Sequence, residues 1–188
     1  MIEWLTNIDE KLFFILNGAY TSFLDQPMFW ISNKYIWIPM YAVFLWMLIK
    51  NYRWNTLYLL LFIAILITLS DQGSTHLFKN VFQRLRPCHD PGIMDMVHTV
   101  NNKCGGRFGF ISSHASNSFS LAVFLSGWLR KSYRWFPWLI FTWAALVSYS
   151  RIYLGVHFPG DVVAGAVFGG VLGYLVLFIS RKVIKARF

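Results

Sequence analysis

The sequence predicts an all-α membrane protein, a polytopic bundle of five transmembrane helices with an interfacial amphipathic helix at the N-terminus. Of its 188 residues, 56% are hydrophobic and only 13% are charged, whereas a soluble domain carries about 25% charged residues. Nine Trp and nine Tyr are typical of chains that meet the two interfaces of a bilayer. Five apolar stretches approach the ~20 residues that a spanning helix needs. One domain, residues 1–188, is expected at this length.

The first 24 residues favour a helix that lies in the membrane interface rather than one that crosses the bilayer. Apolar residues recur here at helical spacing, but three consecutive charges interrupt them. A charge at the centre of a bilayer is costly, which argues against a span. A poor first span is the alternative. The apolar residues are Leu5, Ile8, Leu12, Ile15, Ala19 and Phe23, and the charges are Asp9, Glu10 and Lys11.

Five candidate spans follow, at about residues 29–50, 55–78, 115–130, 135–150 and 162–180. Pro39 is expected to kink the first of them. In the second, Asp71, Thr75 and Lys79 are spaced i, i+4, i+8, so they should share one helical face. That face should look into the bundle, because a carboxylate facing lipid would be costly. For Asp71 a structural role is favoured over a catalytic one.

The long connection 79–113 is too polar to span a membrane and is expected to be an active-site loop. Five spans place this loop and the polar segment around residues 150–161 on one side. The other side holds nine basic residues and no acid at its helix ends, so the positive-inside rule predicts a cytoplasmic C-terminus. The polar side then faces the periplasm or exterior of a bacterial inner membrane. The nine are Lys50, Arg53, Arg130, Lys131, Arg134, Arg181, Lys182, Lys185 and Arg187.

Both cysteines, Cys88 and Cys104, lie in this loop. An outward-facing loop is in an oxidising environment, so a disulfide between them is expected, with two free thiols as the alternative. The nearby His89 and His98 do not complete a zinc pattern. No metal site is therefore predicted.

Three polar segments carry residue types suited to breaking a phosphate ester. Lys79, Arg86 and Arg151 can neutralise the non-bridging phosphate oxygens, and arginine offers a planar fork that matches phosphate. Ser112 and Ser113 open a predicted helix, where hydroxyls and backbone N–H groups can bind an anion. For Ser112 a plain N-cap role is also open.

Two histidines in these segments are candidates for the chemistry itself. His157 and Asp161 are four residues apart across a Pro-Gly turn. This spacing lets the carboxylate fix the imidazole tautomer, which suits a nucleophile. His114 is then free to act as the general acid. No cofactor is implied, and the remaining histidines are interpreted as bystanders.

The three segments resemble the signature of the type 2 phosphatidic acid phosphatase family, K-x6-R-P, P-S-G-H and S-R-x5-H-x3-D. Lys79, Arg86 and Pro87 match the first motif, and the third is matched by Ser150, Arg151, His157 and Asp161. In the middle motif Ser112 and His114 match, while Ile111 and Ser113 replace Pro and Gly. Three ordered motifs at matching spacings in a membrane chain are a specific signal.

The resemblance implies a metal-independent phosphatase in which His157 attacks phosphorus, Asp161 orients it and His114 protonates the leaving group. Lys79, Arg86, Ser112, Ser113 and Arg151 would bind the phosphate. The favoured substrate is undecaprenyl diphosphate, with lipid A phosphate and phosphatidylglycerophosphate as alternatives. Phosphotransfer between lipids and non-catalytic binding of a lipid phosphate are also open. The membrane lipid is the expected partner, nucleic acid is not, and no oligomeric state is predicted.

Overall fold

The computed structural model describes residues 2–185, which are helical with no strand inside that range. This confirms the all-α class. Lys34–Phe82 and Pro159–Ile184 are long and apolar enough to cross a membrane. The count of five spans stays a prediction. The helices are α1 (Ile2–Asn17), α2 (Ser22–Ile31), α3 (Ile38–Tyr52), α4 (Thr56–Gly73), α5 (Asn80–Phe82), α6 (Ser113–Leu129), α7 (Phe136–Tyr153) and α8 (Pro159–Lys185).

The N-terminal region is divided differently from the prediction of one helix over 1–24 and a span over 29–50. The first helix ends at Asn17, and Thr21 caps a separate helix, α2, by accepting a hydrogen bond from the Leu24 amide. A second break follows α2, where Asn33 caps a 3-10 turn over Lys34–Trp37. The predicted boundaries were wrong because short polar side chains bind backbone amides here and end the apolar run.

Pro39 begins a helix instead of kinking one. It occupies the first turn of α3, where its missing N–H group has no helical acceptor to lose. The predicted kink was therefore wrong, because the helix starts at Ile38 and not at residue 29.

The first helix packs one face against α7 and α8. Phe13 is fully buried on that face, while Trp4, Leu5, Leu12 and Ile15 are exposed. An outward apolar face of this kind is typical of a helix at a membrane interface. The interfacial placement remains a prediction.

After α4 the chain does not continue as an α-helix. Residues Ser74–Lys79 form a π turn, which leads into α5. The π turn changes the helical pitch over these residues, and the common face of Asp71, Thr75 and Lys79 stays a prediction. Asp71 is exposed and lines a cavity instead of lying buried in the bundle.

Helix α6 is the centre of the bundle and packs against α8, α7 and α4. At its interface with α8 lie three glycines spaced four residues apart, which we call the glycine seam: Gly165, Gly169 and Gly173. A Cβ atom at these three positions would lie 2.5, 2.1 and 2.6 Å from backbone oxygens of Ser112, Ser116 and Ser120. Small residues at this spacing let two helices approach closely. The seam thereby fixes the start of α6 beside the start of α8.

We expect Gly169→Ala to lower the melting temperature of the detergent-purified protein, because the new methyl would overlap the Ser116 carbonyl. Overpacking of this kind costs about 1–3 kcal/mol. Gly170→Ala is the matched control, since a Cβ atom there meets nothing within 4 Å. Equal melting temperatures for the two variants would contradict the close seam.

Candidate active site

The polar segments converge at one end of the bundle, around the ring of His157. Burial lowers the pKa of His157 well below its usual value, and the charges of Arg86, Arg151 and Lys79 lower it further. These three cations come from the long loop, the end of α7 and the π turn. His157 itself is 1% exposed. Its ring is therefore neutral at physiological pH, as a nucleophile requires.

Asp161, in the first turn of α8, faces His157. The Nδ1 atom of His157 lies 3.4 Å from Oδ2 of Asp161, which also accepts a hydrogen bond of 3.0 Å from the Phe158 amide. Gly109 completes this contact, because a Cβ atom there would lie 3.0 Å from Oδ2 of Asp161 and 3.6 Å from Nδ1 of His157. With Nδ1 directed at the carboxylate, Nε2 is the ring nitrogen left for the predicted attack on phosphorus.

Two arginines present unused donors at this site. Arg86 donates through Nη1 to the carbonyl oxygens of Cys104 and Val156, at 3.4 and 3.3 Å. Arg151 donates through Nη1 to the Ser32 hydroxyl. The Nε atoms of both arginines are buried and have no hydrogen-bond partner among residues 2–185. Buried donors without acceptors are costly, and a phosphate oxygen would satisfy them.

The start of α6 is hydrogen-bonded to residues of the first and third motifs. The Ser112 hydroxyl caps the helix by accepting from the Ala115 amide at 3.4 Å, and the Ser112 amide donates to the Asp161 carbonyl at 2.9 Å. Lys79 donates to the Ser113 hydroxyl at 2.6 Å. The N-cap role of Ser112 is thus present, and its hydroxyl proton remains available to a phosphate.

His114 is exposed and faces a cavity of about 780 Å³. The cavity extends from Ser113 and His114 down the gap between α3 and α4, with α6 and α7 as its floor. Its walls are mostly apolar, so it has room for lipid chains beside the phosphate site. The wall residues include Trp37, Tyr41, Phe44, Leu48, Leu60, Ile63, Ile67, Leu121, Leu125, Trp143 and Val147.

Sequence reasoning missed two residues that support this site, Asp9 and Arg84. Arg84 donates to Oδ1 of Asp161 at 3.0 Å and to Oδ2 of Asp9 at 2.7 Å. Asp9 accepts a further hydrogen bond of 2.7 Å from the Gly160 amide. The guanidinium of Arg84 also lies 4.1 Å from the ring centroid of Phe158. Helix α1 thereby holds the same carboxylate that faces His157.

The sequence carries only weak signals for these two residues. In the sequence Asp9 is one of three charges that interrupt an apolar face. Arg84 lies two residues before Arg86 inside the first motif, where a second arginine next to a phosphate site could have been noted. Their pairing joins positions 75 residues apart, which no local spacing predicts.

The loop that carries Arg86 is closed by a disulfide between Cys88 and Cys104, whose Cα atoms are 6.0 Å apart. An antiparallel bridge between Leu85 and Phe108 pairs the two sides of the same loop. Because Arg86 binds the Cys104 carbonyl, the closed loop also positions the arginine.

The other histidines lie outside this group. His98 pairs with Asp25 at 2.9 Å and stacks on Tyr20, and His76 and His89 bind neighbouring polar groups. Among residues 2–185, no group of three or more His, Cys, Asp or Glu side chains could hold a metal ion.

The chain is similar to known lipid phosphatases over nearly its whole length. Residues 57–185 match the model of the PAP2 superfamily. A lipid A 4'-phosphatase of Bacteroides thetaiotaomicron is 45% identical over 97% of this chain and 81% of that protein. A lipid A 4'-phosphatase of Porphyromonas gingivalis is 38% identical over 99% of this chain and 77% of that protein.

The fold is also found in solved structures. The PAP2-type phosphatidylglycerolphosphate phosphatase of Bacillus subtilis superposes with a TM-score of 0.72 at 23% identity, over 95% of this chain and 87% of that one. At this identity the likeness supports the fold. The family resemblance identified from the three motifs is confirmed by the family match.

We expect Asp9→Asn to lower kcat about tenfold while KM changes little. The amide keeps the shape but loses the charge that holds Arg84 on Asp161, and a hydrogen bond to a charged group contributes about 1.5–3 kcal/mol. Glu3→Gln is the control, because it removes an exposed acid from the same helix. Steady-state kinetics of both variants is the measurement, and an unchanged kcat for Asp9→Asn would refute the support role.

Proposed function

This chain belongs to the PAP2 superfamily and is a lipid phosphatase, and we propose that it removes the 4'-phosphate of lipid A. The observation that carries this proposal is the similarity to two lipid A 4'-phosphatases, at 45% and 38% identity over nearly the whole chain. We prefer lipid A to undecaprenyl diphosphate, which the sequence alone favoured, because lipid A agrees better with the names of these two relatives. Phosphatidylglycerophosphate is a weaker candidate, since the structure bearing that activity is only 23% identical.

The first proposed step transfers the phosphoryl group to the enzyme. Nε2 of His157 attacks phosphorus as the bond from phosphorus to the leaving sugar oxygen breaks, and His114 gives that oxygen its proton. The free Nε donors of Arg86 and Arg151 can take the charge that grows on the non-bridging oxygens. Asp161 stabilises the His157 ring as it becomes positively charged.

The second proposed step returns the enzyme to its resting state. A water molecule gives a proton to His114 and attacks the phosphohistidine, so that the nitrogen–phosphorus bond breaks and phosphate leaves. Transfer to a second lipid would use the same intermediate with a lipid hydroxyl in place of water. The complete set of His157, Asp161 and His114 argues against a non-catalytic binding protein.

We also propose the membrane arrangement. Helices α3, α4, α6, α7 and α8 would cross the bilayer, and α1 would lie at the interface beside the site. The site and the disulfide lie at one end of these helices, and the basic residues of the α3–α4 and α6–α7 connections lie at the other. Under the positive-inside rule this supports a periplasmic site in a bacterial inner membrane.

The substrate is tested by phosphate release from purified lipid A, undecaprenyl diphosphate and phosphatidylglycerophosphate, each presented in matched micelles with excess chelator. We expect kcat/KM for lipid A to exceed the others at least tenfold, and activity to persist in chelator because His157 is the nucleophile. His157→Ala is the negative control. A preference for undecaprenyl diphosphate would refute the substrate, and a complete loss in chelator that a divalent ion restores would refute the metal-free mechanism.

The topology is tested with a membrane-impermeant thiol reagent on spheroplasts. Cys88 and Cys104 should react only after mild reduction, because they are bonded to each other and face outward. The control is a single Cys placed at Ser132 in the α6–α7 connection, in a chain with both native cysteines replaced, which should react only after lysis. The reverse pattern would place the site in the cytoplasm.

A further inference from the structure

A chain of four polar groups runs from Lys79 back to the end of α4. The ammonium group of Lys79 lies 2.6 Å from Oγ of Ser113, which lies 2.6 Å from Oγ of Ser74. Oγ of Ser74 lies 2.8 Å from the backbone carbonyl oxygen of Asp71. Ser74 is fully buried, so its hydroxyl is shielded from water.

The donors and acceptors at the two ends fix the direction of every hydrogen bond between them. A carbonyl oxygen only accepts, so Ser74 uses its one proton on Asp71. Ser113 must then donate its proton to Ser74. An ammonium group only donates, so Ser113 accepts from Lys79. No proton of the Ser113 hydroxyl remains for a phosphate oxygen.

We infer that Ser74 and Ser113 are positioning residues for Lys79, and that the Ser113 hydroxyl is not a phosphate donor. This inference rests on the proposed function and on the role predicted for Lys79, which is to neutralise the phosphate. Lysine carries a compact charge on a flexible stem, and the two serines hold that charge at one place. The role of Ser113 thus differs from that suggested by its place in the middle motif.

The π turn explains why Ser74 is available for this role. In an α-helix, residues five apart are separated by about 140° around the axis, so Ser74 and Lys79 would point to different faces. A π turn joins residues i and i+5 by its backbone hydrogen bonds, and here the turn covers Ser74–Lys79. Both side chains therefore reach Ser113 on α6.

The neighbouring pair, Ser70 and Ser116, provides a comparison within the same helix interface. Their hydroxyl oxygens are also 2.6 Å apart and both residues are buried. That pair joins α4 to α6 without contacting a cation. Loss of the Ser70 hydroxyl therefore reports what an interhelical serine bond contributes to folding alone.

The experiment is a double-mutant cycle on Lys79 with a soluble aryl phosphate as substrate and orthovanadate as a phosphate-like inhibitor. Ser74→Ala, Ser113→Ala and the control Ser70→Ala are each made in the wild-type and Lys79→Ala backgrounds. We expect Ser74→Ala and Ser113→Ala to weaken orthovanadate binding and to lower kcat/KM about tenfold, while Ser70→Ala changes both less than twofold. In the Lys79→Ala background the two serine changes should have less than twofold further effect.

Two results would overturn the inference. One is a Ser113→Ala loss that persists in full without Lys79, which would make Ser113 a direct phosphate donor. The other is a Ser74→Ala variant that matches Ser70→Ala. If an alanine variant is poorly folded by its melting temperature, the glycine variant at the same position replaces it in the same cycle. At position 113 this variant, Ser113→Gly, carries the family residue. Because the aryl substrate and orthovanadate contain no lipid, failure of lipid A as substrate would leave this result unchanged.

Discussion

The rest of the structure depends on holding three cations close to one another and to one buried histidine. Arg86, Arg151 and Lys79 all act on the ring of His157, and they also repel one another. Like charges repel more strongly in the low dielectric of a protein than in water. A bound phosphate would relieve this repulsion and accept hydrogen bonds from the free Nε donors of Arg86 and Arg151. Much of the binding energy would therefore come from contacts with the phosphate, which is the group that reacts. Burial and the same three charges lower the pKa of His157, so the imidazole is neutral, as the proposed attack requires.

The rest of the bundle holds those charges in place against their repulsion. The glycine seam between α6 and α8 fixes the start of one helix against the start of the other, which sets Ser112 beside Asp161. The disulfide loop positions Arg86 through the Cys104 carbonyl, and Asp9 on α1 reaches Asp161 through Arg84. Lys79, Arg86 and Arg151 themselves come from the π turn, the long loop and α7. The apolar cavity beside His114 then leaves room for the lipid chains.

Local features could be predicted from the sequence, and features that depend on tertiary packing could not. The spacing of His157 and Asp161 and the grouping of both cysteines in one loop are short-range patterns, and the structure places these residues in contact. The contact of Asp9 with Arg84 spans 75 residues and has no local signal. The π turn at Ser74–Lys79 adds one residue to a helix whose apolar pattern looks continuous. The break before α3 was missed because hydropathy does not register a cap such as Asn33.

The central claim is that His157 carries the phosphoryl group, and rapid-quench trapping with substrate labelled on its phosphate tests it most directly. The account predicts a labelled protein that is stable in alkali and labile in acid, with the label on residue 157. His114→Ala should accumulate it when the leaving group is an aryl oxide that needs no proton, since the same residue activates the water for hydrolysis. His157→Ala should trap none. Label in the His157→Ala protein, or label on another residue, would contradict the account.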